Sequence, residues 1–415
     1  MKYGSCKYGY SKSFVPALLA SALCLALPIA AFAQTEPVAP APLKIADQRN
    51  VDLRLGAQPG SKQAPIKRAE IRTADASFIK VHFDRFSLPA GVTLEVASPD
   101  GREVYRYSAQ QLGPHTVAAD LGQDGKTSFS AMSISGPVAV LRLVGTAREP
   151  WRADHGVSVS RYLEGYPEDM LPDLQNEGLL GGDVGGKSIC GTNNKQHAAC
   201  YSSSDTQAFN GSKPVARAVM SGGSLCTAWR VSSSNRMFTN NHCISTAAGV
   251  SGAEFWFNYQ RSTCTGTATA PVTKVAGDAM LKTDVTLDYT LFTVKNFSTI
   301  SSFGFLGLDP RAAVANEGIF IAGHPGGRVK ELSVADTQNS GGKCRVDAPS
   351  VTGNAPNSDV GYYCDTEGGS SGSPVIARSS SKVIALHHFG GCFNSGAKMS
   401  LIWPQVSTHF GGVIP

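Results

Sequence analysis

Three short segments of the chain carry the residue types that nucleophilic catalysis needs. The first is Gly368-Gly369-Ser370-Ser371-Gly372-Ser373-Pro374, which places Ser371 in a tight, glycine-flanked loop. Backbone amides in such a loop can point at a substrate carbonyl, and preorganised N–H donors stabilise the oxyanion of acyl transfer. We expect Gly369 and Ser371 to supply these donors, although a Gly/Ser-rich surface loop would have the same composition.

The second segment, Phe238-Thr239-Asn240-Asn241-His242-Cys243, contains a candidate base. A serine hydroxyl needs an adjacent group whose pKa is near neutral, and imidazole is the side chain that provides it. A lone histidine is usually structural. Here Cys243 could form a disulfide with Cys226 and clamp the loop, which favours a catalytic role for His242.

The third segment, Leu287-Asp288-Tyr289-Thr290-Leu291-Phe292, holds a carboxylate in an apolar strand context. Such a carboxylate is costly without a partner. Holding the tautomer of a catalytic imidazole is a partnership of that kind. Asp284 is a nearby competitor in a more polar setting, and we favour Asp288 as the third catalytic residue.

The N-terminus reads as an export signal. Lys2, Lys7 and Lys12 precede an apolar run from 14 to 32, and Ala31-Phe32-Ala33 forms a small-x-small cleavage site. We therefore predict a secretory signal peptide over 1–33, with a retained membrane anchor as the alternative. No later stretch approaches the roughly 18 apolar residues that a membrane span needs.

Composition narrows the class of protein. Of the 415 residues, 42% are hydrophobic and 17% charged, with 44 glycines, as in a core-forming, loop-rich β protein. The net charge of +5 is small and the basic residues are scattered, so nucleic acid is not an expected partner. Eight cysteines remain after the signal, and an even count in an exported chain implies disulfides. No paired C-x-x-C spacing supports zinc, and we expect no metal or cofactor.

The chain divides into regions by its patterning. Residues 34–42 form a Pro/Ala-rich linker, and 43–150 alternate as short strands with regular turns, which indicates a small β-sandwich. Residues 151–187 include a Gly-rich stretch that we interpret as a linker with a processing site. Residues 188–415 have the length of two packed six-stranded β-barrels.

Taken together, these motifs resemble the trypsin-like serine peptidases, and most closely the bacterial lysyl endopeptidases. The order His242, Asp288, Ser371 and the intervals of 46 and 83 residues are part of the resemblance, which covers about 188–410. It extends to three further segments: Trp256-Phe257-Asn258-Tyr259-Gln260, Ala322-Gly323-His324-Pro325, and Val383-Ile384-Ala385-Leu386-His387. The resemblance implies an all-β, chymotrypsin-like double six-stranded β-barrel, preceded here by the small sandwich.

The resemblance also implies a disulfide framework. Six cysteines fall where that family pairs its own, which implies the bridges Cys190–Cys392, Cys200–Cys264 and Cys226–Cys243. The remaining pair, Cys344 and Cys364, would then form an extra bridge.

Activation is expected to differ from that of trypsin-type zymogens. Those enzymes carry an aspartate immediately before the nucleophile, where this chain has Ser370. The resemblance instead implies an N-terminal pro-region that assists folding or blocks the site until it is removed. Lys187 is a candidate cleavage point; in the alternative interpretation it is an ordinary exposed lysine. The sandwich could also stay attached as a binding module.

Two interpretations of substrate preference use residues that are present. Asp365 lies six residues before Ser371, the spacing at which trypsin-like enzymes bind Lys or Arg. Thr366 and His387 resemble instead the carboxylate-binding residues of glutamyl endopeptidases. As alternatives, Asp365 could face solvent or Arg345, and His387 could pack behind the triad. The segment 393–398 contains no acid, so a strict lysine preference does not follow from the resemblance.

The sequence therefore predicts a secreted serine endopeptidase that forms an acyl-enzyme, with Lys/Arg favoured over Glu. We expect a monomer whose partners are protein or peptide substrates and its own pro-region, with no membrane association after signal cleavage. A non-catalytic binding protein on a protease fold is the alternative from another class. An esterase or lipase would have the order Ser, Asp, His, which this chain does not have.

Overall fold

The computed structural model describes residues 41–57, 64–176 and 189–415. The predicted signal peptide, most of the linker over 34–42 and the candidate cleavage point Lys187 lie outside these residues. Most of the described elements are antiparallel strands, as the sequence predicts. No helix in the described part is long and apolar enough to cross a membrane.

The N-terminal region is a sandwich of two sheets. Its strands, together with one that leaves it, are β1 (Leu43–Lys44), β2 (Ala46–Gly56), β3 (Arg68–Arg72), β4 (Phe78–Ser87), β5 (Val92–Ala97), β6 (Val104–Ser108), β7 (His115–Thr116), β8 (Phe129–Ala131), β9 (Ile134–Ser135), β10 (Val138–Gly145) and β11 (Gly156–Gly165). One sheet has the order β3-β10-β5-β6 and the other β2-β11-β4-β8-β7, with β9 on β4. Four aromatic side chains pack between the two sheets at ring-centroid separations of 5.2 to 6.2 Å: Phe83, Phe86, Tyr107 and Phe129.

The sandwich extends beyond residue 150, where the sequence analysis placed its end. β11 lies inside the stretch interpreted as a linker over 151–187, yet it is a central strand between β2 and β4. Its alternation buries Val157, Val159 and Leu163, each 1% exposed, against the sandwich and the neighbouring barrel. The polar turn at 148–155 separates this short alternating segment from the earlier strands, and the sequence analysis therefore did not recognise it as a strand of the sandwich. The helix α1 (Leu171–Asn176) follows.

The first unit of the region 189–415 is a closed six-stranded barrel. Ahead of it lie β12 (Gln196–His197) and the short helices α2 (Tyr201–Ser204) and α3 (Thr206–Ser212). The barrel consists of β13 (Val215–Val219), β14 (Ser224–Arg230), β15 (Met237–Thr239), β16 (Glu254–Phe257), β17 (Thr273–Asp284) and β18 (Tyr289–Val294), with α4 (Ala247–Gly252) between β15 and β16. The order is β14-β13-β16-β17-β18-β15, and β15 pairs back to β14, which closes the barrel.

The second unit contains the six strands expected and two more that extend its sheet. They are β12 with β19 (Ile319–Gly323), β20 (Glu331–Ser333), β21 (Ala348–Val351), β22 (Asp359–Tyr362), β23 (Pro374–Ala377), β24 (Val383–Phe389) and β25 (Asn394–Lys398), followed by α5 (Met399–Val406). The order is β12-β20-β19-β23-β24-β25-β22-β21, so β12 and β21 extend the sheet at its two ends. A shared core of buried side chains, including Trp229, Tyr289, Phe320 and Leu386, joins the two units.

Short 3₁₀ turns complete the described structure. They lie at Ala119–Leu121, Ala198–Cys200, Phe297–Phe303, Pro325–Gly327 and Ser407–Phe410.

The structure contains three of the four expected disulfides. Cys190–Cys392, Cys200–Cys264 and Cys226–Cys243 are bonded, with Cα–Cα distances of 5.7, 4.3 and 6.2 Å. The fourth expectation requires correction, because Cys344 and Cys364 are free and buried. The Cys344 thiol donates to the Ala335 carbonyl at 3.4 Å, and both thiols lie inside an apolar cluster, where a cysteine packs as a small hydrophobic side chain.

Candidate active site

The three predicted catalytic residues lie on loops that the barrels hold in place. His242 follows β15, and Asp288 immediately precedes β18 in the first barrel. Ser371 precedes β23 in the second unit. Strand β14 ties the two units together at this point. Its Cys226 is bridged to Cys243, next to His242, and its Thr227 amide donates to the Ser371 carbonyl at 2.8 Å.

Asp288 holds His242 by two contacts. The Nδ1 of His242 lies 2.6 Å from Oδ2 of Asp288, and the His242 amide donates to Oδ1 at 2.8 Å. Asp288 is 1% exposed. Burial acts to raise its pKa, but hydrogen bonds from His242 and His388 outweigh burial and hold the pKa well below the usual range. The carboxylate therefore stays ionised and holds the proton of His242 on Nδ1. The competitor Asp284 accepts the Leu287 amide at 2.7 Å instead, closing a turn.

The other ring nitrogen of His242 is left available. Nε2 is buried and has no hydrogen-bond partner among the described residues. Ser371, on the loop before β23, is 8% exposed. An imidazole whose Nδ1 carries the proton presents a lone pair at Nε2, which is the form a general base requires.

The loop around Ser371 requires glycine at Gly369. Its φ is +92°, and a Cβ there would lie 2.7 Å from both the His324 carbonyl oxygen and Cδ2 of Leu225. The amides of Gly369 and Ser371 donate to no acceptor in the described part of the chain. Two free N–H groups beside a serine hydroxyl can stabilise an oxyanion.

A cluster of ion pairs stabilises the loop that carries Ser371. Arg328 contacts Glu367 at 2.5 Å and Glu331 at 3.1 Å, and Lys195 contacts Glu367 at 3.3 Å. Burial acts to raise the pKa of Glu367, but the charges of Lys195 and Arg328 outweigh it and lower the pKa. Sequence reasoning recognised that Ser370 cannot pair with an N-terminus but did not find Glu367, three residues earlier, as the charged group of the loop.

Asp365 does not have the role that its spacing suggested. Its two carboxylate oxygens accept the backbone amides of Cys190 at 3.0 Å and Asn194 at 2.7 Å, and the residue is 1% exposed. Burial raises its pKa. The expectation that Asp365 binds a basic substrate side chain is therefore corrected: both oxygens are used to hold the segment 190–194, which the Cys190–Cys392 bridge brings to this place.

Thr366 and His387 are also engaged within the protein. The Thr366 hydroxyl donates to Oδ1 of Asn394 at 3.1 Å. Nδ1 of His387 shares a hydrogen bond of 2.8 Å with the Tyr362 hydroxyl. Burial, helped by the charge of His388, lowers the pKa of His387 to about 3, so this imidazole is neutral at physiological pH. The alternative that His387 packs behind the triad describes its position.

His388 and Asp359 extend the catalytic pair. Nδ1 of His388 lies 3.1 Å from Oδ2 of Asp288, and Nε2 lies 2.5 Å from Oδ2 of Asp359. Burial acts to lower the pKa of His388, but these two carboxylates outweigh it and raise the pKa to about 9. A protonated imidazole therefore lies between two buried carboxylates. Asp359 was missed, although an acid beside Val360 in a buried strand is the same signal that pointed to Asp288.

One set of side chains in the described ranges lies close enough to share a metal ion. It comprises Cys226, His242 and Cys243. Both sulfurs are joined in a disulfide, so neither can act as a thiolate ligand. This set therefore belongs to the frame of the catalytic pair.

Known proteins share sequence and structure with this chain. Residues 194–400 match the family model of the lysyl endopeptidase C-terminal domain. Secreted RxLR effector protein 73 of Plasmopara viticola is 32% identical over 343 residues, which cover 81% of this chain and 80% of that protein. Because the two catalytic units lie within 189–415, an alignment of this length extends into the sandwich.

Two solved structures are similar to a smaller extent. A Glu endopeptidase in complex with MPD covers 54% of this chain and 100% of its own, at 17% identity and a TM-score of 0.40. A serine endoprotease from Yersinia pestis covers 49% of this chain and 65% of its own, at 12% identity and a TM-score of 0.36.

Proposed function

Because the chain belongs to the trypsin-like serine peptidases, with a catalytic domain of the lysyl endopeptidase type, we propose that it is a secreted serine endopeptidase. The observation that carries this proposal is the His242–Asp288 pair with its contact of 2.6 Å. Strand β14 links this pair to Ser371 through Cys226 and Thr227.

In the proposed reaction, Ser371 attacks the carbonyl of the scissile peptide bond. Nε2 of His242 takes the hydroxyl proton, and Asp288 stabilises the imidazolium that forms. The amides of Gly369 and Ser371 stabilise the oxyanion. The tetrahedral intermediate collapses to an acyl-enzyme as His242 returns the proton to the leaving amine. Water then enters, His242 deprotonates it, and hydrolysis frees Ser371.

Three observations support an extracellular setting. Three disulfides fit an oxidising compartment, where such bonds persist. The relative from Plasmopara viticola is named a secreted protein. The N-terminus has the composition of a signal peptide, Lys2, Lys7 and Lys12 ahead of an apolar run. We further propose that the substrates are proteins or peptides, that the enzyme acts as a monomer without a cofactor, and that nucleic acid and membranes are not partners.

The preferred side chain remains part of the proposal. We propose cleavage after Lys or Arg; the family description supports Lys, and Asp365 no longer supports either, because its oxygens accept the amides of Cys190 and Asn194. Cleavage after Glu through His387 is disfavoured, since a neutral imidazole bound to Tyr362 offers no positive charge. Digestion of a peptide library, with the cleaved bonds identified by mass spectrometry, decides between them; cleavage after Glu alone would overturn the basic preference.

A fluorophosphonate probe tests the proposed function directly. The purified protein is expected to label at Ser371, and Ser371→Ala is expected to lose both the label and peptidase turnover, on the order of a 10⁶-fold loss. Ser302→Ala, at an exposed serine, serves as the matched control and should behave as the wild type. A wild-type protein that neither labels nor cleaves would favour the alternative of a non-catalytic binding protein.

A further inference from the structure

Strand β1 belongs to the N-terminal region of the sequence but not to the sandwich. It pairs antiparallel with β14 of the first barrel, with Leu43 opposite Leu225 and Lys44 opposite Ser224. The amides of Ile45 and Ala46 then donate to the Gly223 carbonyl at 2.8 and 3.1 Å. On the same side of β14, β15 pairs only from Trp229 onward. β1 therefore covers the part of this strand edge that the barrel leaves open.

This edge lies beside the reacting groups. Cδ2 of Leu225 lies 2.7 Å from the position that a Cβ of Gly369 would take. The next residue, Cys226, is bridged to Cys243, and Thr227 donates to the Ser371 carbonyl at 2.8 Å. A peptide on this edge therefore passes directly next to the candidate oxyanion loop.

The direction in which β1 runs indicates which part of a substrate it would replace. Leu43 lies opposite Leu225, closer to the catalytic loop than Lys44 opposite Ser224, so β1 runs away from Ser371 as its numbering increases. A substrate bound in the same direction would place here the residues on the C-terminal side of its scissile bond. An exposed strand edge binds an extended peptide through main-chain hydrogen bonds with little dependence on side chains.

We propose that this edge of β14 binds the leaving-group side of polypeptide substrates, and that residues 43–46 occupy it in the precursor as a built-in competitor. This inference rests on the proposed peptidase function and specifies how that site is regulated. It predicts selective inhibition: substrates that extend beyond the cleaved bond are excluded, whereas small reagents that end at that bond still reach Ser371.

The sandwich holds the competing strand in place. The Tyr166 amide donates to the Ile45 carbonyl at 2.8 Å, which fastens β1 to the end of β11. Cγ2 of Ile45 and Cδ2 of Leu43 pack 2.8 and 3.5 Å from where a Cβ of Gly327 would lie. A tethered strand acts at a high effective concentration, so a free substrate competes poorly with it. Release of the strand therefore requires release or removal of the sandwich.

The test compares two substrates on the full-length chain, whose integrity is checked by mass spectrometry after each assay. One is an internally quenched peptide with four residues beyond the cleaved bond, and the other is a chromogenic amide that ends there. Ile45→Pro removes the amide that bonds Gly223 and disrupts β1. We expect it to raise kcat/KM for the extended peptide about tenfold, equivalent to about 1.4 kcal/mol of lost competition. The chromogenic amide should change by less than about twofold.

The matched control is Lys67→Ala, at an exposed lysine of the sandwich that lies outside residues 43–46. If Ile45→Pro fails to fold, the double variant Leu43→Ala/Ile45→Ala keeps every amide but removes the side chains packed on Gly327. Equal rates on the extended peptide for the intact wild type and variant would overturn the inference, as would equal gains on both substrates. Absence of fluorophosphonate labelling in every chain would instead refute the proposed peptidase function.

Discussion

The buried ion pair between the sandwich and the first barrel offers a quantitative test of how the two are joined. Lys80 and Glu254 contact each other with side chains 2% and 0% exposed. Glu254 also accepts the amide and hydroxyl of Ser133 at 2.9 and 2.7 Å and Nε1 of Trp256 at 2.9 Å. Burial acts to raise the pKa of Glu254, but the charges of Lys80 and Lys274 outweigh it and lower the pKa. The carboxylate is thus ionised although its side chain is fully buried.

Lys80→Met removes the main compensating charge while keeping much of the side-chain volume. Leaving one partner of a buried pair uncompensated costs about 3–5 kcal/mol. The double variant Lys80→Met/Glu254→Gln removes both charges and keeps one oxygen, which can accept from the Ser133 hydroxyl and Nε1 of Trp256. We expect it to recover at least about half of that loss, because positions 80 and 254 then carry no charge and Lys274 keeps Glu103 as its partner at 2.8 Å.

Urea unfolding of the full chain measures the free energy of unfolding of Lys80→Met and of the double variant. A Ser371→Ala background prevents self-digestion, and the midpoint and slope are fitted together so that a change in compactness is recognised. Arg68→Met, in the exposed Arg68–Glu70 pair, is the matched control and should lose no more than about 1 kcal/mol. A loss below about 1 kcal/mol for Lys80→Met, or a double variant as unstable as the two single losses added, would refute the reasoning.

Two further predictions concern the active site. The raised pKa of His388, about 9 against an ordinary 6.5, means that its contribution to stability is complete below about pH 6.5 and is lost as pH rises through about 9. The free energy of unfolding of the wild type should fall over that interval relative to His388→Gln, and parallel curves would contradict this. Gly369→Ala introduces a Cβ 2.7 Å from the His324 carbonyl at a φ of +92°, so kcat should fall about 10²–10³-fold as oxyanion stabilisation is lost. Steady-state kinetics checks this prediction. The control is Gly341→Ala, because that glycine has open space around it and a similar φ of +90°. Equal kcat for both variants would count against the placement of the oxyanion donors.

The candidate catalytic residues could be predicted from the sequence because the chemistry of acyl transfer restricts residue type and local setting. A serine between glycines, a histidine beside a cysteine and an aspartate in an apolar strand are each explained by a requirement that acts within a few residues. The structure brings His242 and Asp288 together and leaves the amides of Gly369 and Ser371 free, as those local patterns predict. The all-β sandwich likewise follows from alternation and turn spacing, whereas the six-stranded barrel was expected from the length of 188–415 and from the family resemblance.

The surroundings of the triad depended on contacts between distant parts of the chain. Asp365 has the spacing of a specificity residue, but the Cys190–Cys392 bridge, which spans 202 residues, brings backbone amides to it that use both its oxygens. His388 acquires its charge only because Asp288 and Asp359, 100 and 29 residues away, converge on it.

The sequence by itself determined which residues are candidates for the proposed reaction and in which order they occur. Tertiary structure decided which carboxylates are free, which imidazole is charged and which strand covers the edge beside Ser371. β1 illustrates the difference, since a two-residue strand has almost no pattern of its own and exists only because the open half of β14 supplies its hydrogen bonds. Residue chemistry is local, whereas burial, charge compensation and strand pairing are set by whatever the fold brings alongside.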